Sequence, residues 1–157
     1  MPNDSYEHDI LSWSERQADL LRRVANGERV NEVDWPHVIE EIADVGLSEL
    51  HAVRSFLRQA MVHLLKAHLA PQDPARDHWL AEIDTFLDDA QLRFAPSMRQ
   101  RIDLDALFLK AARRATRQTP GRTIQETCPW TLEALLAGDT DALLATLAAP
   151  PSAPQTA

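Results

Sequence analysis

Apolar residues recur at three- and four-residue steps along most of this chain, and nowhere do more than four residues alternate as a strand would. The first stripe, over residues 5–26, is Tyr6, Ile10, Trp13, Leu20, Leu21 and Val24, with Gln17 its one polar interruption. A second pattern opens at Asp34, a good N-cap, followed by Trp35 and Pro36, and continues to residue 69. Its stripe reads Ile39, Ile42, Gly46, Glu49, Val53, Leu57, Ala60 and Leu64. Unbroken, such a helix is about 50 Å long.

Asp73 and Pro74 open a third helix, to residue 92, with Trp79, Ile83, Phe86, Leu87 and Ala90 facing inward. Ser97 is positioned to cap a fourth, to residue 118, whose stripe is Met98, Ile102, Leu107, Phe108, Ala111 and Ala115. The small side chains of Ala111, Ala112 and Ala115 would let another helix approach closely. A short fifth helix over residues 131–137 carries Leu132, Leu135 and Leu136, and residues 139–149 form one more amphipathic piece. Gly27, Gly121 and Gly138 each fall just past a pattern, where helices commonly end. The expectation is an all-α, single-domain helical bundle of four main helices plus one or two short C-terminal helices. The bundle would occupy residues 1–138, the last short helix 139–149, and a flexible Ala/Pro tail 150–157.

Composition supports this reading. Leu and Ala together number 44 of 157 residues, against 13 for Val plus Ile, a balance that favours helix over strand. No basic segment followed by an apolar run opens the chain, and no 18 apolar residues stand in succession, so neither a signal peptide nor a membrane span is expected. The single cysteine, Cys128, excludes an internal disulfide and suits a reducing, cytoplasmic setting.

The net charge of -8 hides an asymmetry: residues 93–122 hold eight basic and two acidic residues, a local charge of +6. Either those cations pair with acidic helices of the same bundle, or they form an anion-binding face. Arg99, Arg101, Arg113, Arg114 and Arg117 are the candidates for that face. Phosphate contacts of this kind would weaken steeply with salt.

Glu49 is the other informative position. Helical spacing aligns it with Ile39, Ile42, Val53 and Leu57, so its carboxylate is expected to turn inward. An unpaired carboxylate in a core is costly, which implies a partner: an arginine of the fourth helix, or His63. The outcome is either a structural ion pair or a polar site that includes Glu40, Glu41, Glu49 and His63. Gly46, three residues earlier, either breaks the helix or admits a close crossing.

Other chemistry is thin. His37 with Glu41, and His78 with Glu82, are spaced i,i+4 as metal ligands can be, but no His-Glu-x-x-His occurs and no metal or cofactor is expected. Cys128 lies just before a short helix and reads as a buried structural thiol rather than an activated one. Phosphate loops, nucleophile elbows and dinucleotide fingerprints are missing from the sequence. Trp13, Trp35, Trp79 and Trp130 read as core anchors, one per helix or helix start.

Several segments together resemble a known family. Asp34-Trp35, Ile39-Glu40-Glu41-Ile42, Gly46-x-Ser48-Glu49 and His63-Leu64-Leu65-Lys66 are similar to the bacterial family catalogued as domain of unknown function 29. So are Tyr6-x-x-Asp9 with Trp13 at one end and Cys128-Pro129-Trp130-Thr131-Leu132 at the other. The chain departs from the pattern at Ala67-His68 and in the tail beyond Gly138. The resemblance implies a small all-helical bacterial protein without an established activity, and it transfers no catalytic or binding residue.

Three functions are compatible with these features. The leading expectation is a non-enzymatic module that binds an unknown protein partner or self-associates, because no convergent catalytic set is visible. Next comes nucleic-acid or phosphate binding through the arginine-rich fourth helix. Last is a metal-dependent or acid–base enzyme using the inward carboxylates and His63.

Overall fold

Capping chemistry decides where the helices begin. The computed structural model describes residues 4–117, 121 and 124–149, and among them every regular element is helical. The expected first helix is two: α1 (Asp4–His8) and α2 (Ile10–Ala25). Asp9 interrupts them because its side chain accepts the Ser12 N–H, an N-cap that restarts the helix. Gly27, at φ 85°, closes α2 with a Schellman pair: Glu28 N–H donates to the Arg23 carbonyl and Gly27 N–H to that of Val24.

The next helix, α3 (Trp35–Leu69), is 35 residues long and runs through Gly46 without a break. A Cβ placed on Gly46 would meet no atom within 4 Å, so no neighbour described here uses the close approach that glycine permits. α4 (Arg76–Arg93) starts later than expected; Asp73 accepts the Ala75 N–H, which places Pro74 in the turn before the helix.

The expected fourth helix is divided as well. Residues 96–101 form a 3-10 helix, and α5 (Leu104–Arg117) begins after Asp103 accepts the Ala106 N–H. Ser97 therefore opens no α-helix, and the expected end at residue 118 lies outside the described residues. α6 (Leu132–Ala137) is capped by Thr131 and closed by Gly138 at φ 72°; α7 (Thr140–Ala148) is capped by Asp139. The expected tail, 150–157, is also outside the described residues.

The chain divides into two compact units, residues 1–48 and 49–157. In the first, Trp13, Leu20, Val33 and Val38 form a small core. Its polar seam is well made. Trp13 Nε1–H donates to Asp34 Oδ2 at 3.1 Å, and Gln17, the interruption in the stripe, accepts the Asp34 backbone N–H at 2.8 Å. His37 Nδ1 meets Asp34 Oδ2 at 2.8 Å, and Tyr6 stacks on the His37 ring and donates to Glu41 at 2.6 Å. Burial alone would raise the Asp34 pKa, but hydrogen bonds from His37 and Trp13 hold it below its ordinary value. Tyr6 is pushed up to about 12, because ionising it would forfeit its bond to Glu41 and place a second negative charge beside it.

In the second unit, Val53, Leu57, Ala60, Met61 and Leu64 of α3 are completely buried. They join Ile83, Leu87 and Ala90 of α4, Phe108, Ala111 and Ala115 of α5, Leu135 of α6 and Leu143 of α7 in one cluster. Trp130 lies edge-to-face with Phe108 and donates its indole N–H to the Leu143 carbonyl at 2.9 Å. Phe108→Ala would lose a fully buried ring and leave a cavity, at a cost of about 3–5 kcal/mol. Urea unfolding of this variant should show a lower midpoint with an unchanged slope.

Candidate functional site

The stretch of α3 inside the second unit keeps one polar row. His51, Arg54, Ser55, Arg58, Gln59 and Lys66 recur at helical spacing while the rest of the circumference is largely apolar and buried. Across from it, α5 presents Lys110, Arg113, Arg114 and Arg117 opposite its own buried Leu107, Phe108, Ala111 and Ala115.

Three hollows lie along this seam. The first, about 250 Å³, is lined by His51, Arg54, Ser55, Arg58, Leu107 and Lys110. The second, about 480 Å³, is lined by Arg58, Lys110, Arg113, Arg114 and Arg117. The third is smaller, about 80 Å³, and is bounded by Gln59, Val62, His63, Lys66 and Arg114. Because Arg58 and Lys110 border the first two and Arg114 the last two, the hollows read as one trough.

Among the described residues, seven cationic side chains and no carboxylate line this trough. Lys66 stands 4.3 Å over the Trp79 ring, which stabilises its charge without neutralising it. Among the described residues, no carboxylate reaches ion-pair distance of Arg54, Arg58, Lys110, Arg113, Arg114 or Arg117. The arginines that do pair are Arg23 with Glu28, Arg93 with Glu49, and Arg99 with Glu133.

The expected anion-binding set is therefore only partly gathered. Arg113, Arg114 and Arg117 line the trough. Arg99 is engaged by Glu133 and sits over Phe94; Arg101 belongs to the 3-10 helix and lines none of the three hollows. The break at Ile102 and Asp103 separates these two from the helical face of the other three. Sequence reasoning missed Arg54, Arg58, Lys66 and Lys110. The i,i+4 spacing of Arg54 and Arg58 along α3, and of Lys110 and Arg114 along α5, was a visible signal, but only packing shows which helix they oppose.

The carboxylate expectations resolve differently. Glu49 does find an arginine, at 3.0 and 3.2 Å, but the cation is Arg93 at the end of α4 rather than one from α5. Both side chains of that pair are 45% exposed, so Glu49 occupies a boundary and not a core position. Glu40 and Glu41 belong to the first compact unit, where Glu41 serves Tyr6. Glu49 and His63 are fourteen residues apart on one helix, about 21 Å, beyond hydrogen-bond reach.

His63 lies at the end of the trough. Its Nε2 meets Glu82 at 3.1 Å, its ring stacks parallel to Phe86, and its buried Nδ1 has no described partner. Glu82 also takes His78 at 3.5 Å, so one carboxylate is shared between two imidazoles. Burial pushes the His63 pKa below 6.5, against the opposing pull of Glu82. Among the described residues no three His, Cys, Asp or Glu side chains form a group able to hold a metal. Cys128 is half-buried, its thiol pushed up to about 11 by burial, which leaves it a poor nucleophile at neutral pH.

Comparison with known proteins adds the family and the fold. The model of the family described as Domain of unknown function DUF29 matches residues 5–140. The chain is also similar to an alpha-helical protein of unknown function from Rhodospirillum rubrum, known from a crystal structure. The identity is 30% and the TM-score 0.70, over 92% of this chain and 98% of that one. No curated protein matches the chain. Among the described residues, no helix is long and apolar enough to cross a membrane.

Because His63 is more easily kept neutral when folded, its contribution to stability is present above pH 6.5 and is lost as the pH falls from there through the lower folded value. NMR titration should place its midpoint below 6.5, and Glu82→Gln should lower it further by removing the one nearby group that raises it.

Proposed function

We propose that this chain, which belongs to the family described as Domain of unknown function DUF29, is a binding protein for a phosphate-bearing anion held in the trough between α3 and α5. The observation that carries this reading is the concentration of seven cations, with no carboxylate among the described lining residues, in a chain of net charge -8. A protein with acid to spare could pair those cations internally, as it does Arg93 and Arg99. Leaving them together costs mutual repulsion, which an anion relieves.

The chemistry fits binding rather than turnover. Arginine offers a rigid fork of N–H donors suited to phosphate oxygens, and lysine a mobile point charge. Val62 and Leu107 give the walls an apolar component. The middle hollow, about 480 Å³, is within the size range of small-molecule sites.

Cation exchange tests this directly. Although its sequence pI is about 5.1, the protein should be retained on a phosphate-bearing resin at pH 7.5 and about 50 mM salt, and should elute as salt rises. The pair Arg113→Glu and Arg117→Glu should pass straight through. Flow-through of the unaltered protein would remove the reading.

A second reading, self-association, has its own support. Trp35, Ile39, Ile42 and Val45 on α3 are 49%, 64%, 68% and 68% exposed. They share one face with Gly46, whose open side is free of neighbours, and Glu40 and Asp44 lie round the helix from that face. The sequence stripe is thus only half core: Val53 onward is buried, and Trp35 is no anchor. A second copy crossing at Gly46 would cover this face without opposing Glu40 or Asp44. Four exposed apolar side chains fall well short of the ~20–30 residues per partner of a standard-size interface, so the dimer should be weak. Light scattering should show mass rising with protein concentration, and Ile42→Glu should abolish the rise with helical content unchanged.

A further inference from the structure

The shape and spacing of the trough say more about its ligand than its charge does. On α3, Arg54, Arg58 and Lys66 stand on one row, skipping only Val62, and span about 18 Å. On α5, Lys110, Arg114 and Arg117 repeat at four- and three-residue steps over about 10 Å. Cations therefore recur along α5 at intervals of roughly 5–6 Å, and along α3 at roughly 6 Å and then 12 Å. One orthophosphate could engage two or three of them and leave the others still repelling.

Repeated charge on opposite walls suits a chain of linked phosphates lying lengthwise. The lining residues also argue against bases on that chain. Among the described residues, no aromatic ring apart from the imidazoles of His51 and His63 borders any of the three hollows. Single-stranded nucleic acid is normally held by aromatic side chains that stack each base, at about 1–3 kcal/mol per base. Here that contribution has no platform. A long nucleic acid would also extend past the trough over a chain whose overall charge is -8.

We infer that the α3–α5 trough is a site for an extended polyphosphate chain without bases, an inference that rests on the anion-binding reading above. Arg58, Lys110 and Arg114, which border adjoining hollows, are the positions any such chain must pass. The contacts are distributed and electrostatic, so charge matters more than the arginine fork.

Fluorescence anisotropy on the full chain separates the alternatives. The probes are orthophosphate, tripolyphosphate, longer linear polyphosphates of defined length, and a single-stranded DNA oligonucleotide of matched charge. Affinity should climb with polyphosphate length and level off once the trough is spanned, with log K falling linearly against log salt. The oligonucleotide should bind at least about tenfold more weakly than polyphosphate of equal charge. Arg58→Glu with Arg114→Glu should weaken polyphosphate binding about tenfold or more and flatten the salt slope. Arg58→Lys with Arg114→Lys, which keeps the charge and guards against a folding artefact, should retain most of the affinity. Equal or tighter binding of the oligonucleotide overturns the polyphosphate assignment, as does orthophosphate matching the longer chains. Absence of binding by every anion at about 50 mM salt overturns the anion-binding reading itself.

Discussion

A helix enclosed by others must be apolar almost all the way round, and any polar row it keeps has to run along a seam between neighbours. The second half of α3 is under that constraint. Val53, Leu57, Ala60, Met61, Leu64 and Leu65 are in contact with side chains of the surrounding core, and their burial leaves His51, Arg54, Arg58 and Lys66 only one direction to face. Ala111 and Ala115 of α5 are fully buried in the same cluster, as small residues at a close helix contact would be, which leaves the long basic side chains of α5 on its outer side. The trough is a consequence of how that core packs.

The charge asymmetry then acquires a division of labour. Two of the arginines in the basic segment serve as ordinary surface ties: Arg93 to Glu49 and Arg99 to Glu133. Such exposed pairs contribute at most about 1 kcal/mol each. The remaining described cations of α5 are not neutralised by acids, and with α3 they concentrate positive potential in a concave seam, where it attracts anions most strongly. The first compact unit is the opposite. It has eleven acidic residues against four basic ones, and it ties itself together through the Trp13–Asp34–His37 and Tyr6–Glu41 contacts. Its interior is small, and its most apolar helix face is exposed.

Helix existence and the glycine stops were legible from residue order, because both are decided within about four residues. Gly27 and Gly138 close helices where the pattern puts them, whereas Ser97 opens no α-helix. The two missed breaks, at Asp9 and at Ile102–Asp103, are also local, but there a capping aspartate competes with an uninterrupted stripe and prevails. Gln17 shows the converse: it looked like a flaw in the stripe and is instead the acceptor for the Asp34 backbone.

What the order of residues determined by itself was the all-helical class, the helical pattern over residues 34–69, the helix stops, and the concentration of cations between residues 93 and 122; that α3 runs unbroken through Gly46 was decided by the structure. Periodicity gives each helix an apolar face but does not say what covers it. That is why Ile39 and Ile42 could be read as core and prove exposed, and why Glu49 could be read as inward and prove half-solvated. Only tertiary packing decided that Arg54 and Arg58 of one helix stand across from Lys110 and Arg114 of another. Charges some fifty residues apart in sequence act on one another only through space, and the distance between them is fixed by how the apolar faces close.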